Sequence, residues 1–254
     1  MKERSTILLF LLYLSAMCSA LLAADQQPSS QPAKIKIVLC GDSTVTDNAG
    51  WAVGFKKCLA DDVDCTNLSR GGRSSGSFVK EGLWKKALDM KPDYVLVQFG
   101  HNDQPGHGVD RETDPQTTYR ENMQRYVTEA QAAGVKPVLV TSLSRRQWGD
   151  DGKIHSTLQP YADVVKDIGE KMHVPVLDLH ARSIELYEKL GREKVLEISP
   201  TKNADPKNKN ADTASAANKG FDGTHLNEKG SAIVGPIVAE ELKKAVPELA
   251  SHIK

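Results

Sequence analysis

The sequence lacks an excess of charge of either sign. Its 254 residues carry 33 basic and 33 acidic side chains, which gives a formal net charge of +0 with histidine neutral. Proteins that hold nucleic acid or an anionic membrane by charge need a basic surplus. The composition therefore excludes charge-driven binding to either, and it predicts a partner that is neutral or small. The length suits one sizeable α/β domain.

Cysteine is scarce as well, with four residues in the chain. No spacing of cysteine and histidine resembles a zinc site. Five histidines show no ligand spacing: His107, His155, His173, His180 and His252. We therefore predict no metal and no cofactor. Cys58 and Cys65 are close enough to form a disulfide in an oxidising compartment, and the sequence leaves that open. Cys40 ends an apolar run, which predicts a buried thiol.

A long apolar run occurs at the beginning of the chain. Residues 1–4 are charged, residues 7–17 are almost wholly apolar, and small residues follow at 18–20 and 22–24. This pattern predicts a signal peptide over 1–24, a polar linker over 25–33 and the folded domain over 34–254. We expect a secreted or periplasmic protein with no other membrane segment. An uncleaved anchor stays open, because residues 7–24 approach the roughly 20 needed to span a bilayer.

A lipoprotein anchored through Cys18 is disfavoured, because Met17 is bulky where a small residue is expected.

Beyond the linker, short apolar runs alternate with helical patterns. The predicted strands are 35–40, 63–68, 94–99, 135–140 and 174–179, and the predicted helices are 51–60, 78–90, 117–133, 159–172, 183–190 and 227–246. This alternation predicts a mostly parallel sheet with helices on both faces. Residues 199–219 are rich in Pro, Asn, Lys and Ala and interrupt the alternation, so we predict a surface loop there.

The first strand ends directly in Gly41-Asp42-Ser43. A serine hydroxyl is thereby placed at the carboxyl edge of the sheet, where open α/β sheets bind ligands. A free hydroxyl is a poor nucleophile near neutral pH and needs a base. His225, with Asp222 three residues before it, offers that base and a carboxylate to orient it.

Two further strand ends offer donors for a negatively charged oxygen. Residues 69–74 (SRGGRS) follow the second strand, and residues 100–103 (GHND) follow the third. Glycines let a backbone N–H face a ligand, and an asparagine amide can donate to the same oxygen. In a parallel sheet these ends meet at one edge.

These four blocks resemble, in order and spacing, the SGNH/GDSL hydrolases, and the resemblance runs from about residue 35 to 246. It implies a three-layer α/β/α fold with a flavodoxin-like open sheet of about five parallel strands. It also implies that Ser43 is the nucleophile and that Asp222 and His225 complete the triad. The implied oxyanion hole consists of the Ser43 N–H, the Gly72 N–H and the Asn102 side chain.

A finer resemblance points to a substrate. Gly50-Trp51, the Gly-Arg-Ser at 72–74 and the Phe-Gly-His-Asn-Asp at 99–103 are similar to rhamnogalacturonan acetylesterases, which remove acetyl groups from pectin. The resemblance implies an acetylated polysaccharide or oligosaccharide as the partner, and we expect a monomer. Residues 199–219 depart from the pattern and leave the exact sugar open.

A lysophospholipase or broad lipid esterase is the alternative. A non-catalytic sugar-binding module is a second alternative, although the complete set of candidate catalytic residues argues against it.

A second serine formally competes with Ser43. Residues 72–76 match the Gly-x-Ser-x-Gly elbow of α/β-hydrolases, with Ser74 as the serine. The elbow requires a serine on a sharp turn right after its strand, and five residues intervene here. We therefore favour Ser43 and expect Ser74 and Ser75 to begin the next helix.

Four polar residues near these blocks each allow two interpretations. His101 either lines the substrate pocket or orients a neighbour. Arg73, together with Arg70, either binds a uronate carboxylate or braces its loop. Asp103 is expected to hold its loop by hydrogen bonding rather than to act in catalysis.

Overall fold

The computed structural model describes residues 34–201 and 220–254. The predicted signal peptide, the linker, Cys18 and residues 202–219 of the predicted loop lie outside these ranges. The described part holds a sheet of five parallel strands in the order β2-β1-β3-β4-β5. The strands are β1 (Ile35–Gly41), β2 (Val63–Asn67), β3 (Tyr94–Gln98), β4 (Lys136–Val140) and β5 (Val176–Leu177). This confirms the predicted flavodoxin-like order, whose switch point lies between β1 and β3.

Helices cover both faces of the sheet. They are α1 (Ala52–Lys57), α2 (Ser75–Lys80), α3 (Leu83–Asp89), α4 (Arg120–Ala132), α5 (Gln159–Met172), α6 (Leu179–Lys194) and α7 (Glu228–Ala245). A π-helical turn (Pro115–Tyr119) precedes α4, and 3₁₀ turns (Val195–Ile198 and Pro247–His252) follow α6 and α7.

Two hydrophobic clusters lie on opposite faces of the sheet, because successive strand residues point to opposite sides. Ile37 and Leu39 of β1 belong to the cluster beneath α1, α6 and α7, whereas Val38 and Cys40 belong to the one beneath α2 to α5. All five residues of β3 are buried, as expected for a central strand covered on both sides. The protein therefore has the predicted three layers.

Three predicted elements differ clearly from the structure. The predicted helix 183–190 extends over Leu179–Lys194. The predicted helix 78–90 is two helices, α2 and α3, because Gly82 has a φ of +77° and turns the chain between them. The predicted strand 174–179 is reduced to Val176–Leu177. The Asp178 side chain accepts a hydrogen bond from the Ala181 N–H at 3.3 Å and so begins α6 at Leu179.

Close packing of α1 against α7 brings together two helices that are far apart in the sequence. A methyl group on Gly54 of α1 would lie 1.9 Å from the carbonyl oxygen of Ser231 in α7, so no larger residue fits there without a shift. The Gly54 N–H also donates to the Ser231 hydroxyl at 3.1 Å. Because α1 follows Ser43 and α7 follows His225, this packing places the two residues at one edge of the sheet.

The cysteines of the described residues are free thiols. Cys40 is fully buried, as predicted, and burial raises its pKa far above the usual range. Burial also raises the pKa of Cys65 to about 12. Cys58 and Cys65 are not joined by a disulfide. Across residues 34–201 and 220–254, no helix has the length and apolar character needed to cross a membrane.

Candidate active site

Ser43, His225 and Asp222 form a continuous hydrogen-bonded chain. The Ser43 Oγ lies 2.7 Å from Nε2 of His225, and Nδ1 of the same ring lies 2.6 Å from Oδ2 of Asp222. Because an ionised carboxylate only accepts, Nδ1 carries the proton and Nε2 is left to accept from the Ser43 hydroxyl. The structure thus brings together residues that are 182 positions apart in the chain.

The Asp222 carboxylate is fixed by its own loop. Its Oδ1 accepts the backbone N–H of Thr224 at 2.7 Å and that of His225 at 3.0 Å. Burial by itself raises the pKa of Asp222, but the His225 ring and these N–H donors outweigh burial and hold that pKa well below its usual range. Asp222 is therefore ionised near neutral pH and can stabilise a protonated His225.

Arg146 holds the loop that carries both residues. Its side chain is 1% exposed, and its guanidinium donates to the carbonyl oxygens of Asp222, at 2.9 Å, and of His225. The Arg146 N–H donates to the Gly223 carbonyl at 2.8 Å, and its guanidinium carbon lies 5.3 Å from the centre of the Tyr187 ring. Sequence reasoning missed this residue, because an arginine after an apolar strand normally indicates a solvated loop.

The turn that presents Ser43 is braced by its neighbours. Asp42 is fully buried, and its Oδ1 accepts both the N–H and the hydroxyl of Thr44, at 2.9 and 2.7 Å. The Thr44 hydroxyl in turn accepts from Gln98 at 2.7 Å, and Gln98 accepts from the Trp51 indole at 2.9 Å. These buried bonds fix the Ser43 backbone to β3 and to the start of α1.

His101 completes this bracing from the end of β3. Its side chain is 3% exposed, and Nδ1 lies 3.4 Å from Oδ2 of Asp42. Burial lowers the pKa of His101 despite the opposing charge of Asp42. This single approach to Asp42 favours the second of the two predicted roles of His101, that of orienting a neighbour.

The predicted oxyanion donors follow the carboxyl ends of β1, β2 and β3, which are neighbours in the sheet. Gly72 has a φ of +78°, and a methyl group on Gly71 would lie 3.6 Å from the Ser43 Cβ atom. The Asn102 amide donates to the Arg73 carbonyl at 3.1 Å. This bond ties the loop after β3 to residues 69–74, which we call the glycine run. Among the residues described, neither the Ser43 N–H nor the Gly72 N–H donates to a protein acceptor. These two backbone N–H groups are therefore available to a ligand oxygen.

Asp103 anchors the loops around the site, as predicted. Its carboxylate accepts the Ser75 N–H at 3.1 Å, the Ser75 hydroxyl at 2.6 Å and the Thr113 hydroxyl at 3.0 Å. The residue is fully buried, and burial raises its pKa to about 7 even though these donors oppose the shift. Asp103 is thus a structural carboxyl that changes charge near neutral pH.

Asp103→Asn should change how stability depends on pH. In the wild type the pKa of Asp103 rises from 3.8 to about 7 on folding. This carboxyl therefore contributes fully to the free energy of unfolding below pH 3.8, and the contribution is lost as the pH rises through 7. The excess stability of the wild type over the variant should be larger at pH 5 than at pH 8 by about 2 to 3 kcal/mol. Urea unfolding of both proteins at both pH values measures this difference in the free energy of unfolding. Asp150→Asn, at an exposed carboxylate, is the control, and an equal difference at both pH values would contradict the assignment.

Arg73 and Ser74 have partners away from the triad. The Arg73 side chain donates to Glu81 at 3.0 Å and to the Gly71 carbonyl at 2.7 Å, contacts that brace the glycine run. Ser74 caps α2 by accepting the Ser77 N–H at 3.3 Å, and in the described chain its hydroxyl contacts no histidine. The structure therefore gives Ser74 the predicted capping role and gives it no base. In the described ranges no group of three or more His, Cys, Asp or Glu side chains is arranged to hold a metal ion.

A family model decides the class of the protein. The model of the GDSL-like lipase/acylhydrolase family matches residues 39–233. The chain belongs to this family. It is accordingly a carboxylic ester hydrolase, and the hydrogen-bonded Ser43 hydroxyl lies within the matched region.

Two relatives, one named as a rhamnogalacturonan acetylesterase and one as a probable rhamnogalacturonan acetylesterase, match most of the chain. The chain is 34% identical to the rhamnogalacturonan acetylesterase RhgT of Bacillus subtilis (strain 168) over 230 residues, 86% of this chain and 94% of that protein. It is 30% identical to the probable rhamnogalacturonan acetylesterase YesY of the same strain, over 86% of this chain and 97% of the other.

A solved structure supports the fold. A catalytic mutant of Axe2, an acetylxylan esterase from Geobacillus stearothermophilus, superimposes with a TM-score of 0.60 at 16% identity, covering 82% of this chain and 94% of that one.

Proposed function

We propose that this protein is a secreted serine esterase that removes acetyl groups from a plant polysaccharide, namely pectic rhamnogalacturonan. The observation that carries the reaction is the hydrogen-bonded chain from Ser43 through His225 to Asp222. Two relatives named as rhamnogalacturonan acetylesterases, one of them as probable, support the substrate. The charged, apolar and small-residue pattern of residues 1–24 supports export.

The first half of the reaction acylates Ser43. Nε2 of His225 takes the hydroxyl proton as the Ser43 Oγ attacks the acetyl carbonyl carbon. Asp222 keeps the ring oriented and stabilises the imidazolium that forms. The carbonyl oxygen becomes an oxyanion, which accepts hydrogen bonds from the Ser43 N–H, the Gly72 N–H and the Asn102 amide. His225 then gives its proton to the departing sugar oxygen, which leaves acetyl-Ser43.

The second half releases acetate. A water molecule takes the place of the sugar, gives its proton to Nε2 of His225 and attacks the acetyl carbonyl carbon. The same donors hold the second oxyanion. When that intermediate collapses, the bond from carbon to the Ser43 Oγ breaks, His225 returns the proton to Oγ, and acetate is released.

Asn102→Ala tests the proposed oxyanion hole. Loss of one donor to the developing oxyanion typically costs about 100- to 1000-fold in turnover. We expect that loss in kcat for p-nitrophenyl acetate, with acylation still measurable, because Ser43 and His225 are unchanged. Asn122→Ala is the control: that amide donates to the Ser75 hydroxyl at 2.9 Å, outside the triad. A kcat within fivefold of wild type for Asn102→Ala would remove Asn102 from the proposed hole.

Acetate release from a panel of substrates tests the proposed specificity. Acetylated rhamnogalacturonan, acetylated xylan and p-nitrophenyl esters of increasing chain length should be compared at matched ester concentration. We expect acetylated rhamnogalacturonan to give the highest kcat/KM. Preference for acyl chains of eight carbons or more would instead identify a lipid esterase on the same scaffold.

A further inference from the structure

A cleft of about 630 Å³ opens beside Gly71 and Gly72, and we call it the basic cleft. Its lining includes Gly71, Gly72, Arg73, Lys80, Asp110 and Arg111. Gly71 of this lining adjoins the Ser43 side chain, because a methyl group on that glycine would lie 3.6 Å from the Ser43 Cβ atom. Gly72, a proposed oxyanion donor, also lines the cleft, so the cleft adjoins the proposed site at this glycine.

The carboxylates around the basic cleft already have partners. Glu81 accepts from Arg73 at 3.0 Å, and Asp110 lies 3.6 Å from Lys80. Glu112, next in the chain to Arg111, accepts the N–H groups of Gly106 and Gly108 at 2.9 and 2.7 Å. Within the described residues, Arg111 forms no ion pair with a carboxylate. The lining therefore has one more cation than carboxylates, and Arg111 is the cation of the lining that forms no ion pair within the described residues.

The Arg111 guanidinium is held in place by backbone carbonyls. Its Nε donates to the His107 carbonyl at 2.7 Å, and Nη1 lies 3.4 Å from the Gly72 carbonyl oxygen. A guanidinium has five N–H groups, so these contacts leave others for a ligand. A planar, pre-positioned cation of this kind suits a carboxylate, which it can bind with two parallel hydrogen bonds.

We propose that the basic cleft is a subsite for an acidic sugar, in which Arg111 binds the carboxylate of a uronic acid in the same polymer as the acetylated sugar. The proposal rests on the proposed function, because it needs the ester to be on a polysaccharide. Arg111 would then select acidic over neutral chains. Neighbouring Arg73 is engaged by Glu81 and would hold the glycine run in shape.

The test compares one polymer in two charge states. Acetylated rhamnogalacturonan oligosaccharides are used as they are and after reduction of their uronate carboxyls to alcohols with the acetyl groups kept. We expect the wild type to show about a tenfold higher kcat/KM on the acidic form, the size of one charge-assisted hydrogen-bonded pair. Arg111→Gln should bring the ratio of the two values close to one, and Arg111→Lys should leave it intermediate. High salt should also lower the wild-type ratio.

Lys85→Gln is the matched control, because it removes one positive charge from a side chain that is 79% exposed on α3, where it pairs with Asp89 outside the cleft. Its ratio should equal that of the wild type. Equal wild-type kcat/KM on both forms, or an unchanged ratio in Arg111→Gln, would overturn the subsite and leave the proposed esterase standing. Hydrolysis of p-nitrophenyl acetate with no acetate from either polymer would overturn the proposed substrate and the subsite together.

Discussion

Ser43→Ala should lower kcat for p-nitrophenyl acetate by about 10⁴- to 10⁶-fold, since removal of a serine nucleophile abolishes the covalent step. The remaining Asp222–His225 pair would have no hydroxyl to activate. The loss should appear on acetylated polysaccharide as well, because both substrates need the same acyl-enzyme. Thermal unfolding should remain close to wild type, because the Ser43 hydroxyl contacts only His225 among the described residues.

Ser74→Ala is the control for this change, because it removes the rival hydroxyl, which lies in the block of residues 69–74. Ser74 caps α2, so its loss should cost about 1 kcal/mol of stability while most of the activity remains. If Ser74→Ala were the inactive variant and Ser43→Ala kept its turnover, the nucleophile would have been assigned to the wrong serine.

Asp222→Asn should lower kcat about 10⁴-fold, a loss comparable to the lower end of that expected for Ser43→Ala. An asparagine can keep its oxygen on the Thr224 and His225 N–H groups, which Asp222 binds at 2.7 and 3.0 Å. Its NH₂ would then face Nδ1 of His225 and force that atom to accept. The ring proton would move to Nε2, which could no longer take the proton of Ser43.

The chain offers a second aspartate–histidine pair as a control for this substitution. Asp62 and His252 lie 2.7 Å apart near the start of β1, at the opposite edge of the sheet from Ser43. Asp62→Asn makes the same chemical change without touching the site, and it should leave kcat unaltered. A kcat for Asp222→Asn within tenfold of wild type would show that Asp222 does not set the tautomer.

Local patterns in the sequence predict most of the fold. Strand β4 and helix α5 are found within one residue of their predicted bounds, because their apolar periodicity is strong and uninterrupted. The break between α2 and α3 was missed because it depends on one left-handed glycine, Gly82, within a helical pattern. The short β5 was overestimated because the capping carboxylate Asp178 ends the strand.

The site was predictable where short motifs carry it and not where distant side chains support it. Ser43 and His225 follow recognisable strand and loop patterns, and the structure places their side chains 2.7 Å apart. The guanidinium of Arg146 on the triad loop and that of Arg111 on the Gly72 carbonyl depend on contacts across 76 and 39 positions. Such contacts have no periodic signal, so only the folded chain reveals them.

Labelling with a serine-directed fluorophosphonate tests the central claim most directly. The folded protein should be treated with the probe, digested, and mapped by mass spectrometry, with Ser43→Ala treated in parallel. We predict one adduct, on the peptide that contains Ser43, its formation in step with loss of esterase activity, and no adduct on Ser43→Ala. An adduct on Ser74, or inactivation with Ser43 unlabelled, would contradict the assignment.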